Sequence, residues 1–458
     1  MIARFSRLAP ILAALLLTAT IALPAVADPA IEKADPSALT AAQQGNVKVL
    51  DGVLSAIQRQ FYDRDFSGLK LEDLRARYLD KVLAVKPKTP LYGVLNEMLG
   101  EFKVSHLALV EPEVYALYFE PEFTNGVTLR PGFEIARLGD EYFVASLHQG
   151  GAAETAGLLR GDRIVRINGL EAARSPMLVD GGSDPGIPGA PHYVICCPIE
   201  APERTLTLEI QRKRGDKELT TVKIEPALGS LIESTRNSVA VIEKDGRKLG
   251  YIRIWHVLHE EIARILSFAI RKKFADCDGM ILDLRGRGGN IAVMNAVLEP
   301  FGEAPPQPDR RGRMRRQVTG MPKWTKPVVG LIDSGSRSAK EVIAHNWKYL
   351  EVGPLVGETT AGAVLASNFA RMPDGSQLLL PVSAVQNLAY GNVKLEGNGV
   401  KPTHPIADIV AYAQGGDIIK ETGIKVLLEK VKAVKTDKPA PLQPEVPDEP
   451  ATEEQFSR

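Results

Sequence analysis

From residue 238 onward, short apolar runs alternate with helix-like segments, and no other feature constrains the fold as strongly. Leu249 to Trp255 alternates, Met280-Ile-Leu-Asp-Leu284 and Val328-Val-Gly-Leu-Ile332 are apolar runs, and Leu355-Val-Gly357 repeats the theme. Runs of this kind suit strands buried on both faces. Helix-like segments start near Ile291, at Ala339 (running to about Tyr349) and at Asp417. The succession predicts an α/β unit over 236–432, with its chemistry on loops at the strand ends.

Two other units precede it. Val47, Leu50, Leu54, Ile57 and Phe61 recur at helical spacing, and a second helix is expected around Glu72–Val85. Thr89-Pro90 supplies an N-cap and a first-turn proline for a third helix, which stops just before Ser105-His106. Residues 28–115 therefore read as a helical cap ending in a loop that carries a histidine. Over 120–226 the pattern changes. Phe133-Glu-Ile135 and Tyr142-Phe-Val144 flank Gly139-Asp140 as a hairpin should. Gly150 to Gly169 fits a short helix, a Gly-Asp turn, a strand and an Asn-Gly turn, and Asp180–Pro191 reads as a surface insertion.

At 458 residues the chain suits two or three domains. Lys+Arg and Asp+Glu both number 56, so net charge points to neither nucleic acid nor a membrane surface. Arg4, Arg7, the apolar stretch Pro10–Pro24 and Ala25-Val26-Ala27 form a cleavable signal peptide over 1–27, which predicts a periplasmic or secreted protein. The tail 435–458 is rich in Pro and Glu, lacks periodicity and reads as disordered. Three cysteines, Cys196, Cys197 and Cys277, make no disulfide framework.

Ser338 stands at the corner between the strand Val328–Ile332 and the helix that follows. Backbone N–H groups at such a corner have no helical acceptor and can hold an oxyanion. A serine there is also a common helix N-cap, so a nucleophile needs further support. A nucleophilic serine needs a base. Lys340 lies roughly 200° round the helix and His345 about 10 Å along it, so the base must come from another segment.

Leu282-Asp-Leu-Arg-Gly-Arg-Gly-Gly289, Ser336-Arg-Ser-Ala-Lys-Glu341, Gly357-Glu-Thr-Thr-Ala-Gly362 and Leu395-Glu-Gly-Asn-Gly-Val-Lys-Pro402, in this order, resemble the core of the carboxyl-terminal processing and tricorn-core serine peptidases. The string 150–169 resembles a PDZ domain. The stretches Phe61–Leu69 and Met98–His106 resemble the helical part of the tricorn-like branch. The resemblance implies a crotonase-like αβ core and places the nucleophile at Ser338. The processing branch's lysine base falls at Ala363, which removes a Ser-Lys mechanism. The tricorn-like branch implies His106 as base, with Ser105 and Glu396 completing a relay. Val104 departs from the acidic residue that often precedes the Ser-His pair. The oxyanion hole is expected at the Gly288 and Ala339 amides.

The expected activity is peptide hydrolysis through an acyl-enzyme, on a peptide or protein substrate, without metal or organic cofactor. In the PDZ-like unit an extended peptide should add beside Phe133-Glu-Ile135, with its carboxylate near Arg130-Pro-Gly132. His256, His259 and Glu260 lack a third metal ligand, and the arginines between Arg310 and Arg316 suit either a solvated loop or a carboxylate clamp. Competing readings are a non-catalytic binding scaffold on the same fold, as in the similar interphotoreceptor retinoid-binding protein, and a PDZ adaptor.

Overall fold

The computed structural model describes residues 39–85, 91–180, 192–195, 205–303, 305–308, 314–315, 320–384 and 389–433. The expected signal peptide, the Thr89-Pro90 cap, the 181–191 insertion, Cys196, Cys197, most of the Arg310–Arg316 run and the tail lie outside them. Among the described residues no helix is long and apolar enough to cross a membrane.

The sheet of the αβ core follows the order Ala240–Lys244, Arg247–Arg253, Gly279–Asp283, Val328–Ile332, Leu355–Gly357, His404–Pro405. The first pair is antiparallel and the rest parallel, with Ile281 opposite Val329 and Leu331 opposite Val356. Every residue of Gly279–Asp283 and Val328–Ile332 is buried, as strands covered on both faces require. Helices Glu261–Phe268, Ile291–Leu298 and Ala339–Tyr349 cover one face, around Leu282, Ile332, Ile343 and Trp347. Helix Ile418–Ala433 covers the other, with Leu427 and Val431 against Ile281 and Val329. The loops after Asp283, Ile332 and Gly357 leave the carboxyl ends of three adjacent parallel strands, which is where an α/β sheet opens a crevice.

Helices Ala41–Gln60, Leu71–Leu83 and Leu91–Gly100 form the N-terminal unit. Thr40 opens the first as an N-cap, its hydroxyl accepting from Gln43 N–H at 3.2 Å. The core of this unit is completed by the αβ unit. Leu50, Ile57, Leu95 and Met98 pack with Leu365, Leu378 and Leu380 of the αβ core. Strand Ala108–Val110, just past His106, pairs antiparallel with Gln377–Leu379. The loop that carries His106 is therefore tied to helices on one side and to a core sheet on the other.

The third unit contains the predicted hairpin, strands Phe133–Leu138 and Glu141–Leu147, and strands Arg163–Ile167, Leu206–Gln211 and Thr220–Ile224. Asn168 and Gly169 both have positive φ (48° and 80°), the backbone that a tight Asn-Gly hairpin turn needs. Its Gly-Asp turn docks on the core. Arg160 forks onto Asp408 at 2.6 and 2.7 Å and donates to the carbonyls of Ile409 and Gly416. A Cβ on Gly161 would lie 2.1 Å from Ala413 N, so only glycine allows this approach. One expectation fails here. The edge of Phe133–Leu138 on which a peptide was expected to add, beside Phe133 and Ile135, is already paired: strand His192–Ile195 lies antiparallel on Ile135 and Ala136. Those two residues also pair with Glu141–Leu147, so neither edge is open there.

Candidate active site

Ser338 adopts φ 56° and ψ −126°, a strained backbone for a residue with a Cβ. Two hydrogen bonds from its own N–H hold it there. Its N–H donates to Ala363 O at 2.7 Å and to Glu341 Oε2 at 3.2 Å. Glu341, fully buried, accepts also from Gly362 N–H and Ala363 N–H, both at 2.7 Å, and from Thr360 Oγ1 at 2.5 Å. Burial pushes this carboxyl up, and the four donors oppose that push. The Ser-x-x-Glu spacing is a capping-box signal that the sequence carried and that points to this tie.

Lys340 turns away from Ser338, as helix geometry requires. Its ammonium is fully buried and donates to the carbonyls of Ile254, Trp255 and Arg285 at 2.5, 3.1 and 2.9 Å. Burial, and then the Arg253 charge, push it down to about 7. It fastens the helix that begins at Ala339 to two strand ends. Lys340→Met leaves three buried carbonyls without a donor and should cost on the order of 3 kcal/mol. Urea unfolding checks this, and an unchanged midpoint would contradict it.

The structure brings Ser105, His106 and Glu396 together. Glu396 Oε1 accepts from Ser105 N–H at 2.9 Å, and Oε2 accepts from Ser105 Oγ at 3.0 Å and from Val364 N–H at 2.8 Å. Ser105 Oγ lies 2.8 Å from His106 Nδ1. The bonding fixes the protons. A carboxylate only accepts, so the single Ser105 hydroxyl proton goes to Glu396, and Nδ1–H must donate to Ser105. Nε2 is left as the basic nitrogen. His106 itself has φ 59°.

Burial, and then the nearby Arg337 guanidinium, push the His106 imidazole down to about 3. One edge of the ring still opens into the cavity, where solvent tempers the push, so the ring is neutral well below pH 6.5. We expect kcat/KM at pH 6 to stay above half its value at pH 7.5. An unperturbed histidine would be neutral in only about a quarter of molecules at pH 6. A pH profile with its acid limb near 6.5 would contradict the assignment. The sign for stability is opposite: between pH 6.5 and 3 the unfolded chain binds a proton that the folded ring refuses, so this group weakens folding as pH falls.

Both Ser338 and His106 line one cavity of ≈ 1460 Å³, together with Gly288 and Ala339. Neither the Gly288 nor the Ala339 N–H donates to another backbone carbonyl among the described residues. A Cβ on Gly288 would sit 2.5 Å from Ser338 Cβ, so the glycine backbone lies against the serine. The Gly288 loop is fixed by Gly286 N–H to Asp333 Oδ1 at 2.9 Å and by Val257 N–H to Gly288 O at 3.0 Å. Between those glycines, Arg287 Nε reaches Glu134 Oε1 of the hairpin unit at 3.4 Å. Glu134, Ala136 and Leu138 form part of the cavity wall.

Ala363, at the position of the lysine base of the other branch, has its side chain buried and acts through its backbone, accepting from Ser338 and donating to Glu341. His256 does not face a metal position. Its Nδ1 accepts from Leu258 N–H, and its Nε2 pairs with Glu122 at 2.8 Å. Glu122 also takes the Arg130 guanidinium at 2.6 Å. Sequence reasoning missed this buried contact between segments more than 130 residues apart.

The chain matches peptidase family S41 over residues 248–406, the tricorn protease C1 domain over 49–100 and the PDZ domain over 127–175. It is 26% identical over 361 residues to a chloroplastic C-terminal processing peptidase of Tetradesmus obliquus, covering 76% of this chain and 74% of the relative. A carboxyl-terminal-processing protease of a Picosynechococcus strain is 23% identical over 370 residues, covering 76% and 82%. The solved photosystem II D1 C-terminal processing protease superposes with a TM-score of 0.50 at 20% identity, covering 81% of this chain and 94% of that one, and shares the fold. The three matches fall on the three units in chain order, and with the processing-protease relatives they support a serine peptidase of the S41 carboxyl-terminal processing and tricorn-like kind.

Proposed function

We propose that the protein is an exported serine endopeptidase in which Ser338 is the nucleophile and His106 the base. The observation that carries this reading is the hydrogen-bonded chain Glu396–Ser105–His106, which leaves Nε2 as an acceptor beside the cavity that Ser338 lines. Nε2 takes the hydroxyl proton as Ser338 Oγ bonds to the carbonyl carbon of the substrate. The carbonyl electron pair moves to oxygen, where the Gly288 and Ala339 N–H groups receive it. Losing one such donor would cost about 3–4 kcal/mol of transition-state stabilisation. The imidazolium, polarised through Ser105 by Glu396, returns its proton to the leaving nitrogen as the C–N bond breaks. Water then gives a proton to Nε2 and attacks the ester, releasing the acid and restoring Ser338.

In this reading the PDZ unit gates the site as a wall of the cavity, and Glu134 steadies the oxyanion loop through Arg287. Export rests on Arg4, Arg7 and the Ala25-Val26-Ala27 cleavage pattern. A serine-directed fluorophosphonate should label the protein, and Ser338→Ala should not label. Full labelling of that variant would overturn the assignment.

A further inference from the structure

We propose that this PDZ unit does not read substrate C-termini, because the chain's own strand His192–Ile195 fills the edge that a terminal peptide would use. The inference rests on the peptidase reading for its kinetic consequence and on geometry for the rest. PDZ-type recognition adds an extended peptide to an open strand edge and captures its carboxylate in a nearby backbone nest. Here Ile135 faces Tyr193 and Ala136 faces His192 on one side, while both residues pair with Glu141–Leu147 on the other. A strand has two edges, and both are used at these positions.

The occupant is not loosely laid. Ile195 is 0% exposed and belongs to the unit's core beside Phe133 and Ile135. Val194 is 1% exposed and packs with Val110, Val114 and Tyr118 outside that unit. The Tyr118 hydroxyl donates to Ile195 O. The far side of the strand pairs with Leu178–Asp180, Val179 facing Val194. The direction also matters. His192 lies opposite Ala136 and Tyr193 opposite Ile135, so the strand heads toward the Gly132 loop as a bound C-terminus would. The chain continues covalently past Ile195, where a ligand would end.

The charge at the loop is spent internally as well. Arg130 is 4% exposed, and its guanidinium engages Glu122 at 2.6 Å, Thr128 Oγ1 at 2.8 Å and Leu117 O at 3.1 Å. With the edge and the adjacent cation both engaged, a free terminal carboxylate has nothing to add to binding there. Substrates are then selected by residues that enter the cavity, and an internal segment serves as well as a chain end.

Paired peptides that share an internal cleavage sequence and differ only in a free acid or a carboxamide end test this. The wild-type chain should cleave both with kcat/KM equal within about twofold, and Ser338→Ala should bind both equally or capture neither. A tenfold or greater preference for the free acid in either measurement overturns the proposal. If neither peptide is cleaved, the peptidase reading suffers and the binding comparison still decides this one. Hydrogen exchange gives an independent check: the 192–195 amides should be protected along with the core of the unit, and rapid exchange there would also overturn it.

Discussion

Ser338→Ala and His106→Ala each lower kcat/KM by at least about 10⁴-fold, and the double variant loses little more. Residues that act as one chemical unit are strongly non-additive, because removing either member stops the same proton transfer. The effect should fall on kcat, since neither side chain is needed to place a peptide in the cavity. Ser338→Ala keeps the N–H that bonds Ala363 O, so the helix start should persist. Both positions already hold a residue with a Cβ at positive φ, so alanine adds no new backbone strain there, and unfolding measurements check that each variant stays folded. Losses that multiply, rather than saturate, would mean that the two residues do not share a step. The residual rate should reflect the oxyanion donors and binding alone.

Glu341→Ala should be nearly as damaging, by a different route. Its carboxylate accepts four hydrogen bonds from the two loops that frame Ser338. Without it, three backbone N–H groups and a hydroxyl lose a shared acceptor in a buried place. We expect a loss of about 3–5 kcal/mol in stability, in line with stripping a buried charged acceptor from its donors. We also expect kcat to fall by at least about 100-fold, because a displacement near 1 Å at the reacting atom costs that much. Glu341→Gln keeps one carbonyl acceptor and should recover part of both. Full activity in Glu341→Ala would show that Ser338 holds its backbone without this tie.

How legible was this in the sequence? The strand Val328–Ile332 and the helix Ala339–Tyr349 fall where apolar runs and periodicity place them, because burial on both faces leaves a local signature. Helical spacing also gave the direction of Lys340 correctly but not its three carbonyl acceptors, which come from distant strand ends. Ser105, His106 and Glu396 could be paired only through resemblance, since no spacing rule links groups 291 residues apart. The filled PDZ edge was illegible for another reason. His192–Ile195 is four residues long, next to a stretch rich in Gly and Pro, and its strand character comes from the neighbours it pairs with.

The separation between Ser105 and Glu396 also has a meaning in time. At about 5–20 residues per second, a ribosome needs roughly 15–60 s to travel between them. During that interval the first helices still lack Leu365, Leu378 and Leu380, which complete their core, and Glu396 does not yet exist. Strand Gln377–Ser383, which pairs with the strand just past His106, also emerges late. Contacts between segments so far apart form late in folding as well as late in synthesis. The Glu396–Ser105–His106 chain is therefore assembled only when almost all of the protein has been made.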